Sequence, residues 1–189
     1  MKKLFPIILL FIVLFNINTA YSQVGLTLTG GVQSPTKDFA SIVKNGYGFC
    51  ASIDYSIPLV PVEISFSAGY NNWAYKTQFE PANIGQQGFG NGISYYSIPV
   101  TVGPRLFIPI SIFIFRPYIG VDAGIVYSSS TASGAPSTRD FIYSPMFGFR
   151  LSLPPGIIAI DINFKNYNYT DSGHTFSWIG INGGLSIAL

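Results

Sequence analysis

Charge is scarce in this chain of 189 residues: Asp, Glu, Lys and Arg together make up 10% of it, against about 25% in an ordinary soluble domain. A globule wetted on all sides is disfavoured by that figure. Ten basic against eight acidic residues also exclude a nucleic-acid binder that works by neutralising phosphates. Cysteine is nearly absent. Cys50 has no second thiol to pair with, so no internal disulfide forms even in an oxidising compartment, and it reads as a small packing residue. Histidine occurs once, as His174, and there is no metal cluster, phosphate loop or nucleotide fingerprint; no cofactor is expected. Long apolar runs are missing too: after residue 22 none reaches the roughly 18 residues of a membrane helix.

What is present begins with Lys2 and Lys3, an apolar run from Leu4 to Phe15, a polar stretch from Asn16 to Thr19, and Ala20-Tyr21-Ser22. That order predicts a secretory signal peptide over residues 1–22, because the apolar run is too short for a membrane anchor and ends at a small-residue cleavage site. Its removal takes Lys2 and Lys3 away and leaves bases and acids in balance over one domain, residues 23–189. No cysteine sits at the cleavage site, which argues against a lipoprotein.

From Gln23 onward apolar residues recur at period two, the signature of strands, with no amphipathic stretch at helical period. Tyr47, Phe49, Ala51, Ile53, Tyr55 and Ile57 alternate with Gly48, Cys50, Ser52, Asp54 and Ser56. Ile158, Ile160, Ile162 and Phe164 alternate with Ala159, Asp161, Asn163 and Lys165. Such stretches cover 24–32, 47–57, 62–71, 96–106, 113–125, 143–153, 158–165 and 178–189. The connections at 58–61, 107–112 and 154–155 are tight and marked by proline; those at 33–46, 72–93, 128–141 and 168–174 are longer and rich in Gly, Ser, Asn and Thr. Short and long connections alternate along the chain. This predicts an all-β fold: an eight-stranded antiparallel up-and-down transmembrane β-barrel with short periplasmic turns and long extracellular loops.

Bulk decides which face looks at lipid. The bore of an eight-stranded barrel is only wide enough for side chains to fill it, and one face carries Gly48, Gly69, Gly103, Gly120, Gly124, Gly148, Gly180 and Gly184. The other face is mostly Ile, Leu, Val, Phe and Tyr, so it belongs outside. Every strand charge lies on the glycine face: Asp54, Glu63, Arg105, Arg116, Asp122, Arg150, Asp161 and Lys165. A base facing hydrocarbon near the midplane would cost about 2–4 kcal/mol, whereas four acids and four bases in one lumen neutralise each other as an ion-pair network. Tyr47, Tyr70, Tyr96, Tyr127 and Tyr143 fall at the long-loop ends of their strands on the apolar face, where an aromatic girdle is expected.

Three features carry a resemblance: Ser97-Ile98-Pro99-Val100 opening a strand that ends in Gly103-Pro104-Arg105, the run Arg116-Pro117-Tyr118-Ile119-Gly120-Val121-Asp122-Ala123-Gly124, and a glycine-bearing last strand that closes the chain. In these the mature chain resembles the small outer-membrane barrels of the PorT-like type and, more distantly, the OmpA, OmpX and OmpW families. It departs from many of them in ending on Leu189 rather than Phe. The resemblance implies insertion in the outer membrane of a Gram-negative cell envelope, with lipid as one partner and other envelope proteins as candidates through the loops or the barrel wall. It leaves function open, since such barrels serve as anchors, adhesins, narrow pores or parts of assemblies.

Catalysis is not expected. His174 lies in Asp171-Ser172-Gly173-His174-Thr175, a loop whose groups would lack the preorganisation a general base needs. The connection 72–93 is the longest and most aromatic, so Trp73, Tyr75, Phe79 and Phe89 are its candidate binding residues. The reading is a non-enzymatic structural or partner-binding barrel with a filled lumen. The alternatives are a narrow pore for small or apolar solutes and a secreted lipocalin-like barrel that holds a ligand inside. Amino-terminal sequencing of the chain recovered from the envelope is expected to begin at Gln23; a start at Met1 would remove the leader.

Overall fold

The computed structural model describes residues 23–76, 93–109, 114–132, 135–154, 156–171 and 174–189. The expected leader, and Phe79 and Phe89 of the long connection, lie outside the described residues. The strands are β1 (Val24–Thr36), β2 (Gly46–Ser56), β3 (Val62–Ala74), β4 (Ser94–Phe107), β5 (Phe115–Ser130), β6 (Thr138–Leu153), β7 (Ile158–Asp171) and β8 (His174–Ala188), with one short helix, α1 (Lys37–Ile42), between β1 and β2. Each strand pairs antiparallel with its neighbours in chain order, and β8 returns to β1, so the sheet is a closed barrel. Closure leaves no free edge.

The registers determine the barrel's shape. Starting at Val24, the positions that face one another in register run through Tyr55, Ile64, Pro104, Val121, Pro145, Asn166 and Ile179 and return to β1 at Ser34, ten residues further on. A stagger of that size over eight strands tilts them by about 40° to the axis and makes the bore narrow. The inward face must therefore include positions with no side chain. A Cβ at Gly103 would fall on the Val121 carbonyl, and one at Gly184 on the Leu28 carbonyl, because the backbones of adjacent strands close in where the sheet curves most.

Proline within the wall is accommodated locally. The β6–β7 pairing runs up to Tyr143 and resumes at Met146, skipping Pro145, which has no N–H for the ladder. Across that gap Asn168 Nδ2 donates to the Asn166 carbonyl over 2.9 Å, a side chain standing in for a missing backbone donor. Both ends of the barrel's stretch of chain lie at the short-turn side, where the Leu189 amide donates to the Val24 carbonyl over 2.9 Å.

Two expectations about the long connections are corrected. The strands continue past their anticipated ends: β1 to Thr36, β3 to Ala74, β5 to Ser130 and β7 to Asp171. His174 opens β8 and is paired in register with Asp171 rather than sitting in a loop. Gly, Ser and Asn at these positions resemble loop composition, yet period two persists and the ladder extends beyond the apolar band into the polar interface. The second correction is α1, six residues long and too short to display a helical period in sequence.

Replacing Gly103 by Val is expected to destabilise the barrel by about 1–3 kcal/mol through overpacking, measured as a lower urea midpoint in detergent micelles.

Candidate functional site

The bore holds most of the chain's chemistry, and it is stacked in layers. At the short-turn end, Arg150 of β6 reaches across the full diameter of the barrel. Its Nη1 and Nη2 donate to Glu63 Oε2 and Oε1 on β3 over 2.9 and 3.2 Å, a bidentate pair. Its Nη2 also lies 3.5 Å from Asp54 Oδ2 on β2, and its Nε 3.3 Å from Asp161 Oδ2 on β7. Arg105 of β4 lies 3.2 Å from Asp54 Oδ1 and 3.4 Å from Glu63 Oε1 and donates through Nη2 to Ser65 Oγ over 2.8 Å. The carboxylates accept further bonds from Thr27, Tyr118 and Asn163: Thr27 Oγ1 to Asp54 at 2.6 Å, Tyr118 OH to Asp161 at 2.8 Å and Asn163 Nδ2 to Asp161 at 3.0 Å. All five charged groups of this layer are buried. Two guanidiniums and three carboxylates thus form one plate that cross-links β2, β3, β4, β6 and β7.

The middle layer is simpler. Lys165 Nζ of β7 donates to Asp122 Oδ2 of β5 over 2.8 Å, both groups buried. A chain of amides rises from the plate, where Asn163 is bonded to Asp161. Asn182 Nδ2 donates to Asn163 Oδ1 over 3.0 Å, Gln33 Nε2 to Asn182 Oδ1 over 2.8 Å, and Trp73 Nε1 to the Gln33 carbonyl over 3.1 Å.

The upper layer departs from expectation. Small side chains were anticipated throughout the bore, but toward the long connections it is filled by rings. Trp73, Tyr95, Tyr167, Tyr169, Phe176 and Trp178 project inward together with Val126 and Ile142. Trp178 stacks on Tyr167 at 4.7 Å and meets Trp73 edge-on at 5.0 Å. The phenolic oxygens of Tyr95 and Tyr169 lie 2.6 Å apart. From above, α1 inserts Phe39, which is 1% exposed, among these rings. Glycines make room in this region: a Cβ at Gly48 would collide with the Asn71 side chain and one at Gly180 with that of Gln33.

Seven of the anticipated lumen charges, Asp54, Glu63, Arg105, Asp122, Arg150, Asp161 and Lys165, are buried and ion-paired. Arg116 differs in burial. It is exposed at the short-turn mouth, with its guanidinium 4.6 Å from the Phe107 ring centroid. It lies across from Arg150 in the β5–β6 register. Tyr47, Tyr70, Tyr127 and Tyr143 are exposed on the outer wall, and Tyr96 there is half-buried against Tyr70, rings stacked at 6.1 Å. These tyrosines belong to β2 through β6, and the same level on β7, β8 and β1 carries Asn168, Ser177 and Ser34 instead. Trp73, anticipated as a binding residue of a loop, is a strand residue with no exposed surface; it cannot meet a surface partner from there. Tyr75 is half-buried against the same cluster.

Residue-by-residue alternation placed the charges, whereas nothing in it separated an aromatic layer from a charged one. The signal was available in the parity of Trp73, Tyr95, Tyr167, Tyr169 and Trp178, all of which share the face of the glycines and charges.

No family model matches the chain, and no curated protein matches it in sequence. Among solved structures the barrel is similar to Neisserial surface protein A, with a TM-score of 0.66 and 12% identity over 89% of this chain and 98% of that one. Looser similarities, both at a TM-score of 0.49, are to Ail of Yersinia pestis in complex with the heparin analogue sucrose octasulfate, 14% identical over 86% of this chain and 99% of that one, and to the N-terminal β-barrel domain of Pseudomonas aeruginosa OprF, 9% identical over 88% and 98%. The first of these establishes the fold: the chain has the architecture of the small outer-membrane β-barrels.

Arg150→Met is expected to cost about 3–5 kcal/mol, because Glu63, Asp54 and Asp161 lose a shared counter-charge while buried. Arg116→Met is expected to cost under about 1 kcal/mol as a change to an exposed charge. Equilibrium urea unfolding of the two variants in the same detergent checks the contrast, and equal costs would mean that the plate is not what holds the short-turn end together.

Proposed function

We propose that the protein is an integral outer-membrane protein of a Gram-negative envelope, exported with residues 1–22 as its leader, whose barrel is a non-enzymatic anchor presenting its long connections to partners outside the cell. One observation carries this reading: the distribution of polarity is inverted relative to a water-soluble domain. Leu28, Phe49, Ile53, Phe66, Ile119, Phe147, Ile181 and Leu185 are exposed around the whole wall, while the ion pairs face the axis. An apolar band bounded by a partial ring of tyrosines suits hydrocarbon and its interface. A lipocalin-like barrel would need the reverse, a wettable exterior and an apolar interior. The PorT-like affinity suggested by Ser97–Val100 and Arg116–Gly124 belongs to this proposal. Much of what those segments contribute is strand geometry, such as the close approach at Gly103.

The narrow-pore reading is the weaker one. The Arg105–Arg150 plate closes the bore near the short turns, and the aromatic layer with Phe39 fills it near the mouth, so a solute would have to displace buried groups at both ends. His174 opens β8 in register with Asp171, and among the described residues no group of three or more His, Cys, Asp or Glu is placed to hold a metal.

Purified protein in planar lipid bilayers is expected to give no discrete conductance steps, and the same preparation should show the slower electrophoretic migration on heating that a folded barrel undergoes. Regular ohmic steps from protein that shows that shift would replace the anchor with the pore.

A further inference from the structure

The upper bore is more than filler. Phe39 sits in a box of four rings, with centroids 5.2 Å away for Trp73, 5.5 Å for Tyr95, 5.5 Å for Phe176 and 6.4 Å for Trp178, each meeting it edge-on. Edge-to-face packing of this kind is worth about 0.5–1.5 kcal/mol per pair beyond buried area, and it selects a flat aromatic ring. The four walls come from β3, β4 and β8, which are held rigidly by the barrel; the ring inside comes from α1, which is not.

α1 lies outside the barrel's strand ladder. Six residues are too few for a helix to persist on its own. Its N-cap, Thr36, makes no side-chain capping bond. The next residue, Lys37, has φ +54°, a left-handed conformation that costs a non-glycine residue about 1–2 kcal/mol. Besides Phe39, α1 is tied by Ile42 and its C-cap Val43, which pack on the same cluster, by Lys76 Nζ, which donates to the Ala40 carbonyl over 2.6 Å, and by backbone bonds from Lys44 to Ala74 and from Lys76 to Ile42. Lys37, Asp38 and Ser41 are exposed. Inside the bore, Trp178 Nε1 is buried without a hydrogen-bond partner among the described residues.

We propose that this box is a binding site for a small aromatic solute arriving from the long-connection side, and that Phe39 is its tethered occupant, displaced when the solute binds. The site is a dead end. Beneath it lie the Asp122–Lys165 pair and the guanidinium plate, so a bound ring is held rather than passed through, which makes the barrel a receptor and not a channel. The buried indole N–H favours a ring carrying an acceptor, and the class is a neutral aromatic, since the Asp122–Lys165 pair and the plate below are already neutralised or bonded. This reading does not depend on which partners the long connections meet.

The chain contains two tryptophans, Trp73 and Trp178, and both line the box, so tryptophan emission reports on this site alone. The test uses the full chain in lipid nanodiscs, titrated with toluene and with p-cresol as the acceptor-bearing ring. A saturable change in emission is expected with the wild-type protein. Phe39→Ala, which removes the competitor, should bind about tenfold or more tightly. Lys76→Met, which touches no wall of the box and only loosens α1, should bind roughly threefold or more tightly, in line with the loss of one charge-assisted hydrogen bond from the closed form. Saturation in Phe39→Ala with none in the wild type or in Lys76→Met would show that Phe39 is a fixed core residue and overturn the proposal. So would a non-saturating change identical in all three proteins, which is partitioning into lipid. If Phe39→Ala fails to fold, the comparison of Lys76→Met with the wild type decides: equal affinities sink the displacement.

Discussion

The narrowness of a closed eight-stranded cylinder governs everything else in this molecule. A stagger of ten residues round the ring leaves a bore in which opposite side chains touch, so each inward position must be empty, hydrogen-bonded or matched to a partner across the axis. Gly103 and Gly184 answer the first requirement, where adjacent backbones leave no room for a Cβ. Arg150 answers the last, spanning from β6 to carboxylates on β2, β3 and β7. A long base facing hydrocarbon would be expensive, and a long base alone in a dry bore more so; cross-bonding three carboxylates resolves both.

Two ways of filling the bore coexist, and they differ in what they permit. The plate at the short-turn end is over-determined: each carboxylate there is ion-paired with at least one arginine and accepts from at least one neutral donor. Moving one member strands several buried charges, which makes that end stiff. Rings at the other end are held by dispersion and edge-to-face contact, which are individually weak and non-exclusive. One of those rings arrives on a short helix rather than a strand. Rigidity and adaptability are thereby separated along one axis, with the adaptable half facing the long connections.

The outer wall has its own asymmetry. Tyrosines anchor the interface from β2 round to β6, whereas β7, β8 and β1 place Asn168, Ser177 and Ser34 at that level. Asn168 is engaged in mending the ladder opposite Pro145, so at least part of that polar stretch serves the wall itself and not an external partner.

Period-two alternation determined that this chain is built of strands, because a pleated strand sends successive side chains to opposite faces, and the bulk of the two faces turned the charges inward, because a narrow bore takes the small residues and the large apolar ones must match hydrocarbon. The level of the tyrosines and the pairing of connections into short and long followed from the same one-dimensional pattern. Only the tertiary structure decided which charges meet. Arg150 and Glu63 are 87 residues apart in the chain and become partners through ring closure and stagger, while Arg116, on the same face by parity, is exposed at the mouth with its guanidinium over the Phe107 ring. The aromatic box belongs to that second category: Trp73, Tyr95, Phe176 and Trp178 are scattered over three strands and Phe39 over a helix too short to leave a periodic trace, so their convergence is a property of curvature and register and not of any local stretch of sequence.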